Sequence, residues 1–304
     1  MGGHHDRTVT RGQSAWANGA HRSSLAPRSS STMCRGTCQV SAGHIVAPRD
    51  PSASLASPSS AISLQLVLTR HHATSLYLSH FWAPLLLGAL ALIVLAWFDA
   101  DRGIASTLFF SASDGQWIGR DSLWMNEVLH TAGRDLMRLI GVLAIGAWAA
   151  SFRVPSLRVH RRALGYFALC MALVPLVVGG LKTLTNVDCP WDVAGFGGTR
   201  PYAEWSLPRP DGLPHAACFP GAHSSSAFAL FALYFLWRDP YPQRAQVALV
   251  GVLVLGGLFS LAQQSRGAHF LSHDLASALI AWLMCFGFYL KFFEGGNKRH
   301  APHD

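Results

Sequence analysis

Leu85-Leu86-Leu87-Gly88-Ala89-Leu90-Ala91-Leu92-Ile93-Val94 is an uninterrupted apolar run without a charged or amide side chain. Extended to residues 79–98, it supplies the roughly 20 residues that a helix needs to cross a hydrocarbon core about 30 Å thick. Working outward, comparable stretches recur at 135–152, 163–181, 223–237, 246–263 and 274–293. The fourth is short and opens with Ser224-Ser225-Ser226, so five spans is the main alternative to six. Trp117 to Arg134, between the first two, reads as an amphipathic segment lying at the interface. The expected fold is all-α: a polytopic membrane helical bundle of about six transmembrane helices.

Composition agrees. Of 304 residues, 50% are hydrophobic and 13% charged, against about 25% charged in soluble domains. The net charge of +8 does not point to nucleic acid. The stretch before His71 holds seven Arg, no Lys and two Asp, which is +5 of the +8. The remainder lacks the basic stripe with aromatics that such a surface needs. Residues 1–75, rich in Ser, Ala, Arg and His, are expected to be a disordered tail, and 76–304 the membrane domain. No apolar run follows the early charges, so the tail is not a secretory signal. Its Arg-rich, acid-poor character also fits a transit peptide; we read it as a tail outside a working protein that starts near Val67. Cys34 and Cys38, four apart, are a weak metal signal.

Basic residues in short loops set the orientation. Arg153, Arg158, Arg161 and Arg162 share one loop, Arg238 and Arg244 another, and Lys291, Lys298 and Arg299 the C-terminal end. With six spans, these fall on one side together with Arg70, and that side is expected to be cytoplasmic. Loops 99–134, 182–222 and 264–273 then face outward, which in a bacterial inner membrane is the periplasm. Cys189 and Cys218 lie in the same outward loop and are expected to pair as a disulfide.

The chemistry gathers on those outward loops. Lys182 opens one, which closes on Cys218-Phe219-Pro220-Gly221-Ala222-His223; another reads Ser265-Arg266-Gly267-Ala268-His269-Phe270-Leu271-Ser272-His273-Asp274. Lys182 and Arg266 suit phosphate oxygens, one as a point charge and one as a planar fork. The amides near Gly221 and Ala222 begin a helix, a setting that favours an anion. Histidines from two separate segments can divide nucleophilic and acid/base roles. His269 and His273 are four apart and share a helical face if the last span begins early.

These segments resemble the type 2 phosphatidic acid phosphatase superfamily of membrane lipid phosphatases and related haloperoxidases, over roughly residues 80–293. Its motifs are Lys, six residues, Arg-Pro; Pro-Ser-Gly-His; and Ser-Arg, five residues, His, three residues, Asp. Lys182 with Pro190 fits the first, with Cys189 in place of Arg. Pro220-Gly221-Ala222-His223 fits the second with two small-residue exchanges. In the third, Ser265-Arg266 is present, but a fixed count from it puts Ser272 at the His position and His273 one place late. Anchoring on Gly267-Ala268-His269-Phe270-Leu271-Ser272 makes His269 the nucleophile and puts His273 where the orienting Asp belongs, and we prefer that registration.

The resemblance implies a lipid phosphate or pyrophosphate substrate, a phosphohistidine on His269, and His223 as the acid and base. Lys182, Arg266 and the amides of Gly221 and Ala222 then hold phosphate, and no metal or other cofactor is expected. Arg200 is a candidate for the missing arginine. Duller readings stand beside these. Lys182 snorkels from a helix end, His223 merely enters a helix, or His269 and His273 ligate a metal with Asp274 or Asp192. Trp191 and Tyr202 read as interface aromatics. The glycine pair at 197–198 reads as a loop turn and that at 256–257 as a helix contact, while Cys170 and Cys285 read as packing residues. A lipid phosphotransferase on the same scaffold, or a non-catalytic binder or transporter subunit, are the alternative functions.

Overall fold

A computed structural model describes residues 74–294. Of the tail expected over 1–75, residues 1–73, with its two cysteines and Arg70, lie outside the described residues, as do Lys298 and Arg299, whereas Thr74 and Ser75 begin a helix.

The decisive apolar run forms helix α1 (Thr74–Trp97). No residue of its Ala83–Trp97 part is buried, and Leu86, Leu87, Leu90 and Ile93 stand exposed along it. Such a ridge is an aggregation site in water and an ordinary surface in hydrocarbon. A short helix α2 (Ala100–Ile104) follows, then a small hairpin, β1 (Phe110–Ser111) against β2 (Gln116–Trp117), with Phe110 opposite Trp117. The segment expected to lie at the interface thus starts in the hairpin. It then winds as a wide helical stretch, Trp124–Ala132, straight into α3 (Gly133–Ala150).

The remaining elements are α4 (Arg161–Thr185), α5 (Ala222–Phe228), α6 (Phe231–Trp237), α7 (Pro242–Ser265) and α8 (Leu271–Tyr289). Among the described residues, four helices are long and apolar enough to cross a membrane: Thr74–Trp97, Arg161–Asp192, Pro242–Ser265 and Leu271–Glu294. The expected six are not reached by that measure, for two physical reasons. Helix α3 carries Arg134, Asp135 and Arg138 in its first turns, which interrupts its apolar face. The α5–α6 pair is short and breaks at Ala229–Leu230. That pair is also encased by protein: Ala227, Ala229, Ala232 and Phe235 are fully buried. A helix that meets side chains instead of lipid does not need a continuous apolar surface.

Around α5 and α6 the core is built from large rings and small gaps. Tyr166, Phe235, Phe259 and Phe286 are among its largest buried side chains. Gly256 lets α7 close on α5, since a Cβ there would meet the Phe228 ring at 2.2 Å. That bears out the helix-contact reading for Gly256, whereas Gly257 faces open space. Gly197 has φ +90° and serves the loop turn expected of it. Cys170 and Cys285 are buried free thiols in the core, as expected.

Candidate active site

Three chain segments meet at one end of the bundle, and each is fixed by identifiable contacts. The first leaves α4 at Asn186, whose left-handed φ of 52° ends the helix. Its side-chain oxygen then accepts the Ala216 N–H at 2.9 Å, drawing the far end of the loop back. Cys189 and Cys218 are joined as a disulfide, with Cα atoms 5.2 Å apart, as the sequence led us to expect. This ties the Lys182 end of the loop to the His223 end.

The second and third segments are stitched together at the start of α8. Gly221 donates its N–H to the His273 carbonyl at 2.9 Å, and Ser277 donates its hydroxyl to the Gly221 carbonyl at 2.8 Å. Asp274, buried, accepts from Ser224 at 2.7 Å and from Gln264 at 3.1 Å. It therefore binds α5, α7 and α8 into one unit. A Cβ on Gly221 would lie 2.6 Å from an Asp274 oxygen, so only glycine fits where the family motif has serine. Gly267 has φ +76° and packs under Trp117, where any side chain would collide. Asp101 of α2 caps α8 from outside, accepting the Ser272 N–H at 3.0 Å. Burial raises the Asp101 pKa, and the bonds from Ser272 oppose that rise.

A cavity of about 650 Å³ opens between these segments. Lys182, Ala222, His223, Arg266 and His269 line it. Of the other expected site residues, Gly221 sits behind the wall as the N-cap of α5. His273 is almost wholly buried, with its Nδ1 3.4 Å from Nδ1 of His269. One of those nitrogens must carry the shared proton. If His269 donates, its Nε2 keeps a free lone pair. Burial first, and then His273, Lys182 and His223, lower the pKa of His269 well below the usual histidine value, so at neutral pH the ring is uncharged and the lone pair available.

His223 is held differently. Its Nε2 lies 3.1 Å from the Leu129 carbonyl. A carbonyl only accepts, so the proton is on Nε2 and Nδ1 is the atom left for proton exchange. The ring stacks on Phe259 at 4.6 Å.

Arg200 does not supply the missing arginine. It pairs with the buried Asp188 and with Asp192, while Arg209 takes the other side of Asp188; the three brace the loop. Besides Arg266, the arginines that line the cavity are Arg134 and Arg138 of α3, and position 189 is half of the disulfide. Trp191, expected at the interface, is exposed and also lines the cavity, and Tyr202 packs against Phe270. The carboxylates considered as metal partners are engaged, Asp274 with Ser224 and Gln264, Asp192 with Arg200. Among the described residues no three His, Cys, Asp or Glu side chains gather as a ligand set.

Sequence reasoning missed His130, Gln263, Arg134 and Arg138, all on the cavity wall. No motif marks them, because His130, Arg134 and Arg138 reach the site from elements distant in sequence and Gln263 stands just before the Ser265-Arg266 pair.

The apolar helices fit an integral membrane protein, and the site joins two histidines to two cations at a helix start. Residues 163–296 match the family model of the PAP2 superfamily, a stretch that contains Lys182, His223, Arg266, His269 and His273. That segment is similar to the PAP2 superfamily, and the similarity supports a phosphatase-type activity. Neither a curated protein nor a solved structure gives a significant match.

Proposed function

We propose that the protein is a membrane phosphatase that hydrolyses a lipid phosphate or pyrophosphate at the outer face of the membrane. The observation that carries this reading is the two-ended character of the cavity. One end holds the cations and histidines. The other runs between α3 and α4 along Met137, Gly141, Val142, Ile145, Met171 and Pro175. Met171, Pro175 and Lys182 follow one face of α4. Eleven residues at 1.5 Å each give about 16 Å of depth from cation to apolar floor. A phosphate at the top with a hydrocarbon chain below fits such a groove, and a water-soluble phosphate leaves its lower half without a partner.

In this reading His269 attacks phosphorus through Nε2, and the P–O bond to the lipid breaks as the N–P bond forms. The bound phosphate, singly protonated, first gives its proton to the bare Nδ1 of His223, and the departing oxygen takes that proton as the P–O bond breaks. Water then gives a proton back to His223 and attacks phosphorus, breaking the N–P bond and releasing inorganic phosphate. Lys182, Arg266 and the amides at the start of α5 hold the phosphate oxygens throughout.

Orientation rests on the basic loops. The turn from α3 to α4, with Arg153, Arg158, Arg161 and Arg162, lies at the opposite end of α4 from Lys182. By the positive-inside rule that end is cytoplasmic and the site faces outward. Cysteines placed singly in that turn should resist an impermeant thiol reagent in intact cells; labelling at position 158 refutes the orientation.

The function itself is tested with purified protein in detergent against a panel of lipid phosphates and pyrophosphates, with and without chelator. Phosphate release unaffected by chelator is expected. No release from any lipid, phosphate passed to a second lipid instead of water, or activity lost to chelator and restored by zinc each sinks this reading.

A further inference from the structure

His130 stands at the end of the Trp124–Ala132 stretch, outside the segment that matches the family, yet it lines the same cavity. Its ring centroid is 4.7 Å from that of His223. Its Nδ1 is 2.6 Å from the Gln263 side-chain nitrogen, and the Gln263 oxygen accepts from Arg266 at 3.0 Å.

This chain of contacts fixes a proton. Arginine only donates, so the Gln263 atom facing Arg266 must be its oxygen. The atom facing His130 is then the amide nitrogen, which also only donates. Nδ1 of His130 must therefore be bare, and the ring proton sits on Nε2. Among the described residues, no hydrogen bond occupies Nε2. Burial, with Arg266 and Arg134 adding to it, lowers the His130 pKa to about 4, in keeping with a ring that stays neutral. The same Gln263 amide holds the Arg266 guanidinium, so one residue sets both donors.

We propose that His130 is a third histidine of the site, a fixed neutral donor whose Nε2–H binds a phosphate oxygen of the substrate beside Arg266. It adds a phosphate contact on a wall that the family segment does not provide, in a site whose first motif lacks its arginine. The proposal rests on the phosphatase reading only for the identity of the ligand as a phosphate group.

The test uses inorganic phosphate binding to the full chain in detergent, by calorimetry and without turnover. His130→Phe keeps the ring volume and removes the donor. His130→Gln keeps an N–H near the Nε2 position. Loss of a hydrogen bond to a charged oxygen should weaken phosphate binding about tenfold or more in His130→Phe, while His130→Gln stays within about threefold of the wild type. Thermal unfolding establishes that each variant is folded, and if His130→Phe is not, His130→Leu takes its place as the variant without a donor. Equal weakening in both variants points to packing and overturns the proposal, as does unchanged affinity in His130→Phe. Wild-type protein that binds no phosphate sinks this proposal and the phosphatase reading together. A donor-dependent affinity in protein that releases phosphate from no lipid sinks only the phosphatase reading.

Discussion

His269→Ala is expected to abolish phosphate release, by at least about a thousandfold, because in the proposed mechanism His269 alone forms the covalent intermediate. His273→Ala should retain weak activity, down about tenfold. It touches His269 across 3.4 Å, a long contact whose loss costs about one hydrogen bond. The two placements differ in kind: His269 faces the cavity and His273 lies behind it. Quenching a turnover without acid and mapping the phosphorylated peptide gives the direct answer. Phosphate on His273, or an exchange of the two activity losses, reverses the assignment and makes His269 the supporting ring.

The second large effect is expected at His223. His223→Ala should lower kcat/KM for a lipid monophosphate by about a hundred- to ten-thousandfold, the usual contribution of a positioned general acid. A pyrophosphate lipid has a much better leaving group and needs little protonation, so its loss should be smaller by at least about tenfold. The ratio of kcat/KM for the two substrates, in wild type and variant, is the measurement. Equal losses on both substrates mean that His223 does not protonate the leaving oxygen and acts by shaping the cavity.

Local chemistry was legible in the sequence, and long-range completion was not. The run around Leu85–Val94 announced a lipid-facing helix because every residue in it carries the same message. That Lys182, His223, Arg266 and His269 share one cavity was legible because each sits at or beside a helix end in a short pattern that resembles the family's motifs. The cysteine pair was legible because both residues lie in one loop. The α5–α6 pair was harder to read, since a helix wrapped in protein has no reason to look like one wrapped in lipid. Arg200 was misread for a related reason. A free arginine and one claimed by Asp188 look alike until the loop is folded. His130 and Gln263 are separated by 133 residues, and Asp101 and Ser272 by 171; no local periodicity records such pairs.

Those distant pairs bear on where this protein could be divided. The segment that matches the family begins at residue 163, but its helix α8 is capped by Asp101, and His223 leans on the carbonyl of Leu129. One bank of the cavity belongs to α3, which is also upstream. Severed at the family boundary, the downstream piece would keep both of the proposed catalytic histidines and lose what aims them: an uncapped helix, an imidazole free to swivel, and a trough with one side. The border drawn by resemblance is thus a border of ancestry and not of self-sufficiency, and the smallest piece expected to work by itself reaches back at least to the cap at Asp101.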